Sequence, residues 1–175
     1  TCIGANKQHM RKVFHEQLGE DFPVEAFDKD AREGFLRIER EEGIPVKKGA
    51  RELLSWLKEQ GAVVGLASST AHDIVVQELT DAGLVDYFQA ITGGDQISHS
   101  KPDPEIYLKA CEKLGIDPKE AYAVEDSYNG IRSAFSAGMK PLMVPDLLPP
   151  TGEMEEKAHR IFDDLLEVRD FLAGK

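Results

Sequence analysis

Residues 121–138, AYAVEDSYNGIRSAFSAG, admit few folds. An apolar run over 121–124, of the kind that forms a buried strand, is followed at once by Glu125 and Asp126. A small polar turn over 127–130 then leads into a helix with Ile131, Ala134, Phe135 and Gly138 on one face. Open α/β sheets build their sites in this way, at the carboxyl ends of parallel strands. Adjacent carboxylates repel unless a cation sits beside them, so a hard ion such as Mg²⁺ is the ligand their chemistry favours. Taken alone, an acidic, solvated strand end is the better explanation of the pair. The surroundings must decide.

The chain around this stretch alternates in the same manner. Residues 3–43 carry Val13, Phe14, Leu18, Phe27, Ala31, Phe35 and Ile38 at helical spacing, with no strand-like run. Two amphipathic helices bury little by themselves, so 1–45 reads as a partial α-helical cap joined by the hinge GIPVKKG, 43–49, to a core over 46–175. Within that core, helices are predicted over 51–60, 73–82, 105–114, 130–137 and 164–172. Strands are predicted over 62–67, 90–92, 121–124, 141–144 and 160–162, with a looser proline-rich stretch over 145–159. Strands separated by helices of this length mean βαβ units and a Rossmann-like parallel sheet flanked by helices. The net charge of −11 argues against nucleic acid or an anionic membrane surface as partner, since both require basic patches. Two cysteines, Cys2 and Cys111, with no CxxC spacing and no run of membrane-span length, suit a cytoplasmic monomer.

Three segments fall at strand ends. Ser68-Ser69-Thr70 directly follows the strand over 62–67; its hydroxyls and amides can cradle an anion, or simply cap the next helix. Lys101 lies in SKPDP, where Pro102 and Pro104 stiffen the approach and Asp103 can cap; it is either a fixed cation or a solvated turn lysine. Glu125-Asp126 is the third. A hydroxyl and amide cradle, a fixed cation and a metal pair, gathered on one edge of a sheet, are the parts phosphoryl transfer needs. The five histidines show no paired ligand spacing for zinc, and GxSxG, GxGxxG and P-loop patterns are absent.

With these residues in view, the sequence resembles the haloacid dehalogenase superfamily, in the branch of β-phosphoglucomutase and small-molecule phosphatases. The resemblance lies in Ala67-Ser68-Ser69, SKPDPEIY (100–107) and VEDSYNGIRSAFSAGM (124–139). It implies that Ser68 binds the transferring phosphate with the Ser69 amide, that Lys101 neutralises it, and that Glu125 and Asp126 hold Mg²⁺. It further implies that Ser127 and Asn129 shape the metal loop, and that Lys7, with neighbouring Asn6, touches substrate from the cap.

One motif of that family is absent from these residues: the strand ending in Asp-x-Asp-Gly that carries the nucleophile and the general acid/base. Asp28 and Asp30 fall in a predicted helix, and no glycine follows Asp163-Asp164. In the family that strand is central, between the one ending at Ser68 and the one ending at Glu125. The resemblance therefore implies a core whose first, central strand is missing, a vacancy between those two strands, and a sequence that is a fragment of the full protein. The expected function is a Mg²⁺-dependent phosphatase acting on a small phosphorylated metabolite through an aspartyl-phosphate, the fragment alone being inactive. The alternatives are a phosphomutase of the β-phosphoglucomutase type, or a non-catalytic phosphate- or metal-binding module if the chain is complete as given.

Overall fold

The computed structural model describes residues 7–43 and 45–174. Helices α1 (Lys7–Leu18) and α2 (Val24–Glu42) come first, as their apolar spacing predicts. Their junction is aromatic: Phe14, Phe22 and Phe27 meet pairwise with ring centroids 5.3 to 5.7 Å apart, Phe14 and Phe27 edge-on. Such pairs contribute about 0.5–1.5 kcal/mol each beyond their burial.

The remaining elements alternate: α3 (Ala50–Glu59), β1 (Gly65–Ala67), α4 (His72–Asp81), β2 (Ala90–Thr92), α5 (Glu105–Leu114), β3 (Tyr122–Glu125), α6 (Tyr128–Ser136), β4 (Lys140–Met143), α7 (Gly152–Lys157), β5 (Arg160–Ile161) and α8 (Leu165–Leu172). Every strand pair is parallel, as helical crossovers require. Gly65 stands opposite Ala90, Tyr122 opposite Lys140, and Leu142 opposite Arg160. This is an α/β fold of parallel strands flanked by helices. Among the described residues no helix is long and apolar enough to cross a membrane.

The strands fall into two sheets. Among the described residues β1 pairs only with β2, and β3, β4 and β5 form the second sheet in that order. Between the facing edges of β1 and β3 lies a cleft of about 1250 Å³, lined by Gly65, Leu66 and Ala67 on one side and by Tyr122, Ala123 and Val124 on the other. Helix α5 spans the break: Ile106 and Tyr107 pack with Ala123, Ala134 and Ala137, and Ala67 joins them from β1. On the far layer Leu53 of α3 and Val168 of α8 enclose Leu142, Val144 and Phe162, with Trp56 against them. Burying one such aliphatic side chain contributes roughly 1.5–3 kcal/mol. Gly49, before α3, has φ 84°, and a Cβ there would lie 2.9 Å from the Leu166 amide, so the chain can approach α8 here only as glycine.

Two segments differ from the sequence-based expectation. The apolar run over 62–67 forms ladder only from Gly65, because the Val64 amide donates to the Gln89 side chain at 2.7 Å and its carbonyl accepts the Gln89 amide at 2.9 Å. The stretch over 145–159 contains α7, whose N-cap Thr151 accepts from the Met154 amide. Met154 is fully buried with Ile131 and Met143. Six residues with one buried apolar side chain show no helical period, which is why the spacing did not reveal it.

Candidate active site at the strand ends

β3 delivers Glu125 to the cleft and α6 begins three residues later, with Ser127 as its N-cap. The buried Ser127 hydroxyl accepts from the Gly130 amide at 3.0 Å and donates to Glu125 Oε2 at 3.2 Å. Gly130 makes room for that arrangement: a Cβ there would meet Glu125 Oε2 at 1.9 Å. The other oxygen, Oε1, accepts from both the Lys101 ammonium and the Tyr107 hydroxyl. The Lys101 and Glu125 side chains are only 7% and 8% exposed, so the solvated-turn reading of Lys101 does not hold. Lys101 Nζ also donates to the Ala67 carbonyl at 3.3 Å and lies 4.9 Å from the centre of the Tyr107 ring. One ammonium thus ties the end of β1 to the end of β3 across the break in the sheet. Burial, and then the Glu125 charge, push the Tyr107 phenol well above its ordinary pKa, so it stays a donor.

Ser68 lies at the end of β1, its amide donating to the Thr92 carbonyl and its hydroxyl oxygen accepting from the Thr70 amide at 3.1 Å. Among the described residues the hydroxyl proton has no acceptor. Ser69 is exposed, its amide without an acceptor among the described residues. The first amide of α4, in contrast, is committed internally: His72 N donates to Asp95 Oδ1 at 2.7 Å. The donors left at this strand end are those of the Ser68–Ser69 turn, since the helix N-terminus behind it is capped by a carboxylate of the same chain. Gly93 and Gly94 bring Asp95 there, since Cβ atoms on them would lie 2.2 Å from the His72 amide and 2.2 Å from the Ser69 carbonyl. Backbone cannot yield cheaply, so Gly94→Ala should destabilise by about 1–3 kcal/mol and displace the Ser69 turn. Urea unfolding checks this; an unchanged midpoint would mean the turn is loosely packed.

Asp126 stands exposed at the cleft mouth. Partial loss of water, and then the adjacent Glu125 charge, push its carboxyl above the ordinary range, against which Lys47 acts from further off. Lys47 lines the cleft and pairs with Asp146 at 3.6 Å. Two carboxylates whose charges oppose one another, offering only oxygen, suit a hard divalent cation such as Mg²⁺. Glu125 has spare acceptor capacity on Oε2 alone, since Oε1 already serves two donors.

The other expected site residues are less central. Asn129 turns along its own helix, accepting from Arg132 at 3.0 Å, and Arg132 also binds Glu153 at 2.8 Å. Asn6 and the side chain of Lys7 lie outside the described residues, although Lys7 opens α1. A cluster of His99, Asp103 and Glu105 could be mistaken for a metal centre. Its carboxylates are spent on backbone: Glu105 accepts from the Ser98 and His99 amides at 2.8 and 2.7 Å, and Asp103 from the Glu105 amide at 2.9 Å. Sequence reasoning passed over Tyr107, Asp146 and the Gly93-Gly94 pair. For Tyr107 a signal existed, because a phenol on the apolar face of a helix needs a polar partner when buried.

Comparison with known proteins places these features in context. The family model described as haloacid dehalogenase-like hydrolase matches residues 1–144. Hexitol phosphatase B of Escherichia coli (strain K12) is 40% identical over 105 residues, which is 60% of this chain and 47% of that protein. The phosphorylated carbohydrates phosphatase of Thermotoga maritima is 35% identical over 133 residues, 71% of this chain and 62% of that protein. The chain thus spans about half to two thirds of the length of these curated relatives. Among solved structures, a HAD phosphatase from Thermococcus onnurineus superposes with a TM-score of 0.74 at 26% identity, over 99% of this chain and 84% of that one.

Proposed function

Because the chain belongs to the haloacid dehalogenase-like hydrolase family, we propose that the whole protein hydrolyses the phosphate ester of a small phosphorylated metabolite, a sugar phosphate in the first instance. The observation that carries this reading is Lys101, a buried cation fixed between the Ala67 carbonyl, next to the Ser68–Ser69 turn, and the Glu125 carboxylate, next to Asp126. The phosphatase relatives that act on hexitol or carbohydrate phosphates support the substrate class.

The nucleophile is an aspartate on a strand that completes the sheet between β1 and β3, a reading supported by the facing edges of those strands, which have no strand partner among the described residues. Its carboxylate attacks phosphorus, the bond from phosphorus to the sugar oxygen breaks, and a second acid on that strand protonates the departing oxygen. Water then attacks the aspartyl-phosphate, giving its proton to that acid, and releases inorganic phosphate. The Ser68 hydroxyl and Ser69 amide donate to phosphoryl oxygens, while the Lys101 ammonium balances their charge. Glu125 and Asp126 would hold Mg²⁺, which when bound supplies further positive charge at the phosphoryl group. Ser127 fixes Glu125 and the start of α6. Helices α1 and α2 form part of a mobile cap over the site.

The test uses the protein expressed from its natural gene. An intact mass several kilodaltons above that of this chain, with phosphate release from sugar phosphates that EDTA abolishes and Mg²⁺ restores, is the expected result. No release, or release indifferent to EDTA, overturns it. Conversion of glucose 1-phosphate to the 6-phosphate would make the protein a mutase. A mass equal to that of these residues, without turnover, would leave a phosphate- or metal-binding module.

A further inference from the structure

We propose that Tyr107 is a positioning residue of this site, its hydroxyl sharing one oxygen of Glu125 with Lys101 and thereby setting how that carboxylate is divided between the lysine and a divalent cation. The proposal rests on the reading of Glu125 and Asp126 as cation ligands.

The geometry follows from the donors around Glu125. A carboxylate offers about four acceptor positions, two on each oxygen. Oε1 takes both the Lys101 ammonium and the Tyr107 hydroxyl, and Oε2 takes the Ser127 hydroxyl at 3.2 Å. One position is left, on Oε2. Rotation of the carboxylate is checked from behind by α6, since there is no room for even a Cβ on Gly130. Tyr107 is itself immobile: it lies on the buried face of α5 with Ile106, Ala110 and Cys111, and is 7% exposed. It touches both members of the ion pair, with its oxygen 3.4 Å from Lys101 Nζ and its ring beneath the ammonium. Lysine is a flexible point charge that would otherwise follow the carboxylate wherever it turned. The phenol holds the carboxylate still and takes part of its Oε1 capacity, so Lys101 is not wholly spent on Glu125.

Removing that one oxygen leaves Oε1 to Lys101 alone. Groups that orient a metal ligand from behind typically change metal affinity by about 10–100-fold when lost. Tyr107→Phe is therefore expected to weaken Mn²⁺ binding, measured calorimetrically on the protein from its natural gene, by about tenfold or more. It should also raise KM for the phosphate ester more than it lowers kcat at saturating Mg²⁺. Asp126→Asn is measured beside it. Loss of Mn²⁺ binding in Asp126→Asn, together with wild-type affinity in Tyr107→Phe, overturns the role of Tyr107 and leaves the cation site standing. Undiminished binding in Asp126→Asn overturns the cation site itself. Should Tyr107→Phe not fold, the tyrosines of the protein are replaced by fluorotyrosine and followed by fluorine NMR as Mg²⁺ is added. A shift of the most buried resonance supports the proposal, and its absence overturns it.

Discussion

Lys101→Ala is expected to lower kcat/KM of the whole protein by ~10³-fold or more, and to weaken the fold at the same time. The two effects share one cause. The ammonium is the cation that reaches both Ala67 at the end of β1 and Glu125 at the end of β3, and it does so from a largely buried position. A developing phosphoryl charge met by a preorganised cation in such a place is stabilised far more than in solvent. With the lysine gone, the Glu125 carboxylate keeps Tyr107 and Ser127 as donors but loses its counter-charge. Breaking a buried pair from one side typically costs about 3–5 kcal/mol. Lys101→Met, which retains an apolar stem, should recover part of the packing but none of the turnover. Kinetics on a sugar phosphate and urea unfolding of both variants provide the test. Near-normal turnover in either would place the active site elsewhere.

Asp126→Ala should remove Mg²⁺ dependence together with activity, reducing turnover to the EDTA-treated background. Its effect on stability should be opposite in character to that of Lys101→Ala. Asp126 is exposed at the cleft mouth, and its carboxyl is raised first by partial loss of water and then by repulsion from Glu125. Deleting it relieves that repulsion, so the urea midpoint should stay level or rise slightly. Turnover that still rises with Mg²⁺ would show that the cation binds without Asp126, and a marked loss of stability would mean the carboxylate is structural.

Much of this protein was legible in local pattern. The helix over 105–114 and the strand over 90–92 have the bounds their periodicity and flanking residues predict. Asp164, where the last helix is expected to start, caps it. These signals are short in range, because a cap or an amphipathic turn is decided by residues within a few positions of one another. The order of hydroxyl turn, lysine and acid pair was legible for the same reason: each ends a strand or opens a helix.

What only the tertiary structure decided is how those groups are paired. Lys101 and Glu125 are 24 residues apart and Tyr107 and Glu125 are 18 apart, and only the packing of α5 over both sheets brings them together. The same holds for Asp95, which caps α4 from a turn 23 residues away, and for Lys47 beside Asp146. Burial, too, depends on the assembled fold. A lysine after a serine in a proline-rich turn reads as solvated, and becomes a buried cation only when α5 and the ends of β1 and β3 close around it. Residue types and spacings thus determined which chemistry the chain could carry. Long-range packing, which no local period encodes, determined that one carboxylate would be shared by a lysine, a phenol and a serine at the break between the two sheets.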